Sequence, residues 1–270
     1  MILLSVAIGL GLVAAVVLAH AELAVLSPVP DPALRVLMYH RVDAAPDRST
    51  VTPEQLERQI RWLRARGYTL VRLQDVVRHA TGGIPLPGRP VLLTFDDGTA
   101  DAHDVLLPVL RRLDAPAAVF VIPGFAGASR AYDGAVHRFA SAAELRTLAA
   151  GGVEVGLHTF EHLDLSACSA DEAAADVARC TRWLADGGVP FQPALAFPFG
   201  AYPRKDPARL AAFLAAVRGA GITVAFRIGN RVNALPLRSP LEVQRTEVRG
   251  DEPFWAFAWK VRRGRRKGFA

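Results

Sequence analysis

The sequence predicts an α/β fold, a (β/α) barrel of about seven parallel strands with outer helices, and three observations carry that reading. Strand-like and helix-like runs alternate over about two hundred residues, the pattern of a parallel sheet whose crossovers are helices. The strand-like runs are almost continuously apolar, as strands buried on both faces must be, instead of alternating apolar and polar. Lastly, seven or eight such units suit closure of the sheet. A doubly wound open sheet is the alternative, but no Gly-rich phosphate loop follows the first strand, which also disfavours nucleotide binding. With 270 residues, 51% of them hydrophobic, the chain can bury one full core.

The elements follow in order. Residues 35–40 (Arg-Val-Leu-Met-Tyr-His) read as the first strand. Thr52, Pro53 and Gln55 then open a helix as N-cap, first helical residue and capping-box partner, and it runs through Leu56, Ile60 and Leu63 to Gly67. Further strands are expected at 68–73, 91–96, 117–122, 153–157, 194–197, 222–228 and 243–248. Helices are expected at 102–113, from the Ser141/Glu144 capping box to Ala150, from Ser169 with Glu172 to Ala185, and at 207–219. Cys168 and Cys180 sit at opposite ends of one of these helices. Twelve residues of helix separate the thiols by about 18 Å, too far for a disulfide.

The ends differ from the middle. Residues 1–26 contain an uncharged apolar run from Ile2 to Ala19, long enough for an export signal or an uncleaved membrane anchor. Residues 27–34, with Pro28, Pro30 and Pro32, read as a stiff linker. Residues 35–250 form the expected catalytic domain, and 251–270 an aromatic and basic tail. Lys260, Arg262, Arg263, Arg265, Arg266 and Lys267 match the whole net charge of +6. The basic balance therefore describes a tail and argues against a nucleic-acid partner. With Phe254, Trp255, Phe257 and Trp259 before them, these cations suit contact with an anionic membrane surface or an acidic polymer, or else a solvated tail. The two termini together suggest membrane-surface contact and an extracytoplasmic protein, secreted or anchored.

Chemistry concentrates at two strand ends. Asp96-Asp97-Gly98 closes the strand ending in Thr94-Phe95, and about sixty residues later His158-Thr159-Phe160-Glu161-His162 follows the strand Val153-Glu154-Val155-Gly156-Leu157. Either piece alone is commonplace, the first as a solvated turn with Gly98 at positive φ. Both lie at the C-terminal ends of parallel-type strands, where α/β folds place their sites. Imidazole with carboxylate suits zinc or another first-row divalent ion.

Thr94-Phe95-Asp96-Asp97-Gly98 and His158-Thr159-Phe160-Glu161-His162 resemble the first two motifs of the polysaccharide deacetylases, the NodB-like carbohydrate esterases of family 4. Met38-Tyr39-His40-Arg41-Val42 and Phe197-Pro198-Phe199-Gly200 are similar to the branch that deacetylates poly-beta-1,6-N-acetylglucosamine. The resemblance implies a distorted (β/α) barrel, a divalent metal cofactor, Zn2+ first, and acetate release from a polysaccharide containing N-acetylglucosamine. It also implies Asp97, His158 and His162 as metal ligands and Asp96 as general base, since a carboxylate held by the metal is not free to take a proton. By the same resemblance the backbone N–H of Phe199 faces the oxyanion.

Two departures stand out. No Leu-x-His near the C-terminus supplies the family's general acid, and His40, ending the first strand, is the substitute candidate. The family's Arg in the third motif is replaced by Ala196, Phe197 and Pro198, and Arg245 on the last strand is the candidate to orient Asp96. These departures leave a catalytically weakened glycan-binding protein as one alternative. Peptidoglycan or O-acetylated xylan are alternative substrates.

Overall fold

The computed structural model describes residues 33–132 and 134–263. The signal or anchor expected at 1–26, the linker as far as 32, and Arg265, Arg266 and Lys267 lie outside the described residues. Seven parallel strands close into a barrel: β1 (Ala33–Tyr39), β5 (Pro90–Phe95), β6 (Ala117–Val121), β9 (Val153–Leu157), β10 (Ala194–Ala196), β11 (Val224–Ile228) and β13 (Val243–Glu247). The circuit runs β1-β5-β6-β9-β10-β11-β13 and returns to β1, so no edge of the barrel is left unpaired. Short strands lie outside this ring: β2 (Arg41–Val42) with β3 (Thr50–Val51), β4 (Thr69–Leu70), β7 (Ser129–Tyr132) with β8 (Ala135–Arg138), and β12 (Asn233–Ala234). Closure agrees with the expected fold class.

Strand side chains alternate between two cores. Leu34, Val36, Leu92, Ala118, Phe120, Ala194, Ala196, Val224, Phe226 and Val243 fill the inside. Their neighbours Leu37, Val91, Leu93, Val119, Val155 and Leu195 pack against the helices, so the apolar runs are continuous because both strand faces are buried. Gly156 makes the interior fit, since a Cβ there would come within 2.4 Å of the Phe120 ring. Outside lie α1 (Pro53–Ala65), α2 (Leu73–Gly82), α3 (Leu107–Leu113), α4 (Ala142–Ala150), α5 (Ala170–Asp186), α6 (Pro207–Gly219) and α7 (Phe254–Arg263). The three expected capping boxes, Thr52/Gln55, Ser141/Glu144 and Ser169/Glu172, all form, each cap stabilising its helix by about 1 kcal/mol. Cys168 and Cys180 are free and buried.

Four local expectations need correction. The strand expected at 68–73 is only Thr69–Leu70, and Leu73 begins α2. The buried carboxylate of Glu154 accepts hydrogen bonds from the Leu73 and Gln74 N–H groups at 2.6 and 3.1 Å, a cap delivered from a distant strand that no local pattern reveals. Residues 102–113 are not one regular helix. They open with a wide π-helical turn over Ala102–Leu106 before α3, where Pro108 lacks the N–H an α-helical bond would use. The first strand starts at Ala33 with Leu34 fully buried, inside the stretch read as linker. Finally, the segment set apart as a tail is, as far as Arg263, the packed helix α7. Phe257 and Val261 are buried, Phe254 and Trp259 half-buried, and Trp255 is exposed. Much of the aromatic cluster is thus spent on packing.

Among the described residues no helix is long and apolar enough to cross a membrane.

Candidate active site

Strand parity and backbone turns bring the site together at the C-terminal mouth of the barrel. Met38, Thr94 and Arg245 occupy inward positions of β1, β5 and β13, while His40, Asp96 and His158 continue that parity just past their strands. Asp96 is tied to β1 by its N–H, which donates to Tyr39 O at 2.9 Å. Asp97 and Gly98 then both take left-handed backbone, φ 73° and 72°. Gly98 has no alternative, because a Cβ would lie 2.9 Å from Val121 Cγ1. This turn lets adjacent carboxylates do different things: Asp96 faces Arg245, and Asp97 faces the imidazoles.

The Asp96–Arg245 pair is buried and bidentate, with both N–H···O distances 2.6 Å. Thr94 Oγ donates to Leu37 O at 2.8 Å and accepts a longer contact from Arg245 at 3.4 Å. Burial opposes ionisation of Asp96, but the Arg245 charge and hydrogen bonds, aided by His158, outweigh it and hold the carboxyl down at about 2.

On the other side, Asp97 Oδ1 lies 3.5 Å from His158 Nε2 and 3.7 Å from His162 Nε2. His158 Nδ1 is 2.8 Å from Ala196 O. A carbonyl can only accept, so Nδ1 carries a proton, and Nε2 is the ring nitrogen turned towards Asp97. Burial pushes His162 down to about 3, so it is neutral, the form in which imidazole ligates. Asp97, His158 and His162 offer donor atoms all within 4.8 Å of one another. Ligands at about 2.0 to 2.2 Å around a tetrahedral ion stand roughly 3.3 to 3.6 Å apart, so this donor set fits a divalent cation with small adjustment. The carbonyl behind His158 is the outer partner that usually orients a ligating imidazole.

The histidine loop is held by groups that the sequence reading missed. Both carboxylate oxygens of Asp176 on α5 accept from Phe160 N–H at 3.1 Å, and Thr159 Oγ accepts from Leu163 N–H at 2.7 Å. Thr159 and His162 have positive φ, 60° and 59°, and such outliers need this support. A signal for Asp176 existed: it is an acid beside Ala173, Val177 and Cys180, the buried stripe of its helix. Asp101, whose carboxylate accepts from Val42 N–H at 2.8 Å, likewise fastens the segment after His40.

His40 and Phe199 complete the mouth. A cavity of about 470 Å³ is lined by His40, Asp96, Asp97, His158, His162, Phe199 and Arg245, with Arg48 and Ser49 on its rim. His40 Nδ1 is buried and has no hydrogen-bond partner among the described residues. Phe199 has φ 58° and lays its ring against His162, centroids 4.5 Å apart. The structure thus gathers all seven residues singled out from sequence around one cavity.

Fold and site define an α/β barrel with an Asp-His-His donor cluster at its mouth and an ion-paired carboxylate beside it. The chain belongs to the polysaccharide deacetylase family, whose pattern it matches over residues 83–217. It is 34% identical over 93 residues to the poly-beta-1,6-N-acetyl-D-glucosamine N-deacetylase of Escherichia coli (strain K12), 33% of this chain and 14% of that one. The enzyme of that name from Staphylococcus aureus (strain MRSA252) is 26% identical over 160 residues, 56% of this chain and 54% of the other. The chain spans about half or less of the length of these curated relatives. Among solved structures, IcaB from Ammonifex degensii superposes with a TM-score of 0.72 at 26% identity, covering 87% of this chain and 100% of that one.

Proposed function

We propose that this chain is a metal-dependent N-deacetylase that hydrolyses acetamido groups on a polysaccharide containing N-acetylglucosamine, releasing acetate and leaving a free amine on the sugar. The single observation that carries the proposal is the division of labour between two adjacent carboxylates, Asp97 beside two imidazoles and Asp96 beside a buried guanidinium. Asp97, His158 and His162 would hold the ion, with Zn2+ favoured by the N/O donor set. When bound, such an ion supplies Lewis acidity, lowering the pKa of water and polarising a carbonyl.

The chain's own residues supply the proton transfers. Asp96, kept ionised by Arg245, takes a proton from the attacking water. Arg245 fixes the direction of that carboxylate through two parallel hydrogen bonds. The Phe199 N–H donates to the oxyanion that develops on the acetamide carbonyl, and His40, facing the same cavity, delivers a proton to the departing amine. The glycan assignment is supported by the relatives' names, and an extracytoplasmic location by the apolar run from Ile2 to Ala19. The test is acetate release from an N-acetylglucosamine oligomer. We expect turnover to vanish with chelator and return with added zinc. Turnover indifferent to chelator contradicts the metal assignment.

A further inference from the structure

A second cavity, of about 440 Å³, adjoins the active-site cavity at Phe199 and is lined by Phe199, Tyr202, Arg204, Lys205, Asp206 and Arg209 among others. Phe199 belongs to both linings and is 65% exposed, so the two hollows share a wall that a chain of sugars can cross. Each is within the size range of small-ligand sites. The backbone between them packs closely on β11, where only glycine fits at position 200, because a Cβ there would lie 2.8 Å from Ile228 Cβ.

Charge distinguishes the second cavity. Arg61, Arg112, Arg138 and Arg249 pair with carboxylates, whereas among the described residues the scattered Arg78, Arg146, Arg182 and Arg218 have none in salt-bridge reach, so it is the clustering of cations around one hollow that sets this cavity apart. Among the described residues Arg204, Lys205 and Arg209 have no carboxylate in salt-bridge reach. Asp206 is the acid in the lining, and its Oδ1 is engaged as the cap of α6, accepting from Ala208 and Arg209 N–H at 3.0 and 3.1 Å. Arg209 Nη2 donates to Ser166 O and Cys168 O at 3.3 Å, which anchors its guanidinium at the wall. Three cations against one capped carboxylate in a concave site concentrate a positive potential.

Resting on the deacetylase reading above, we propose that the substrate glycan carries anionic groups, and that Arg204, Lys205 and Arg209 bind the carboxylate or phosphate of a unit neighbouring the one whose acetamido group enters the active site. The same cations disfavour a glucosamine ammonium there, so a polymer already deacetylated at that unit is a poorer ligand.

The test compares acetate release by the full chain, loaded with zinc, from three N-acetylglucosamine tetrasaccharides: unsubstituted, alternating with glucuronate, and bearing 6-phosphates. We expect at least one anionic oligomer to show a KM about fivefold or more below the neutral one, with the gap closing at high salt. Preference for glucuronate alone assigns a carboxylate, and preference for the phosphate alone assigns a phosphate. Arg204→Gln/Lys205→Gln, two exposed positions, is expected to raise KM for the preferred anionic oligomer several-fold more than for the neutral one. Equal KM values for all three, or a variant that shifts all three alike, overturns the inference. Acetate from none of them overturns the deacetylase reading instead. Calorimetric binding of the anionic and neutral oligomers to wild type and the double variant then decides the cavity's role on its own, equal affinities counting against it.

Discussion

The two ends of the barrel each bury a carboxylate, and they use it in opposite ways. At the mouth, Asp96 is matched to the Arg245 guanidinium, which pulls its pKa down to about 2. At the floor, Glu154 meets two backbone N–H groups at the start of α2, and burial outweighs these bonds and pushes its pKa up. Val71, Leu73 and Val76 follow Glu154's contact into the interior cluster and plug that end. At the mouth Asp97, Thr159, His162 and Phe199 all have positive φ. One end of the fold is built to hold an ionised carboxylate and spare donors against a cavity, the other to bury and seal. Parallel barrels generally place chemistry at the first and stability at the second.

That contrast can be broken by substitution, beginning with the largest effect. His158→Ala removes one of the three proposed ligands, the imidazole oriented by the Ala196 carbonyl, so bound zinc and acetate release should both be lost. Full metal by elemental analysis in that variant contradicts the ligand assignment. Arg245→Met leaves Asp96 buried without its counter-charge, expected to cost about 3 to 5 kcal/mol in denaturant unfolding at neutral pH. The sign follows from the shift: Asp96 lies near 2 folded against 3.8 free, so its ionisation stabilises the fold fully above about pH 4 and ceases to do so as pH falls towards 2. The deficit of the variant should therefore shrink on acidification, and a deficit independent of pH would assign Arg245 a packing role only.

Asp176→Ala frees the Phe160 N–H while leaving every proposed ligand unsubstituted. Zinc affinity should fall about 10- to 100-fold, as for other groups that orient ligands. An unchanged zinc titration would show that the loop holds itself. Smallest is Glu154→Gln, which retains one good acceptor for α2. A loss of about 1 kcal/mol in unfolding free energy with unaltered acetate release is expected, and a loss of turnover would mean that the floor and the mouth are coupled.

Sequence patterning revealed the floor and the mouth unequally. The barrel was legible because its strands are apolar on both faces and its helices carry their own caps, as Ser141/Glu144 and Ser169/Glu172 do. Helix α2 was not, since its first N–H groups are taken by Glu154 from another strand, although Asp75 accepts locally from the Arg72 N–H and Leu73, Val76, Val77 and Ala80 carry a helical spacing that ends at Gly83. The β7–β8 hairpin was also missed despite Asp133-Gly134 between its strands, a common hairpin dipeptide. At the mouth the donors stand in two short motifs and could be read directly. Their supports, Asp176, Asp101 and the Ala196 carbonyl, come from separate segments, and only the closed barrel brings them to the site.

The most direct measurement is of Asp96→Asn, with zinc content and acetate release determined on the same preparation. If the carboxylate beside the donor cluster is the base, the variant keeps its zinc and loses turnover on the order of 10²-fold or more. Full zinc with turnover near that of wild type would contradict the assignment of the two carboxylates to two different tasks.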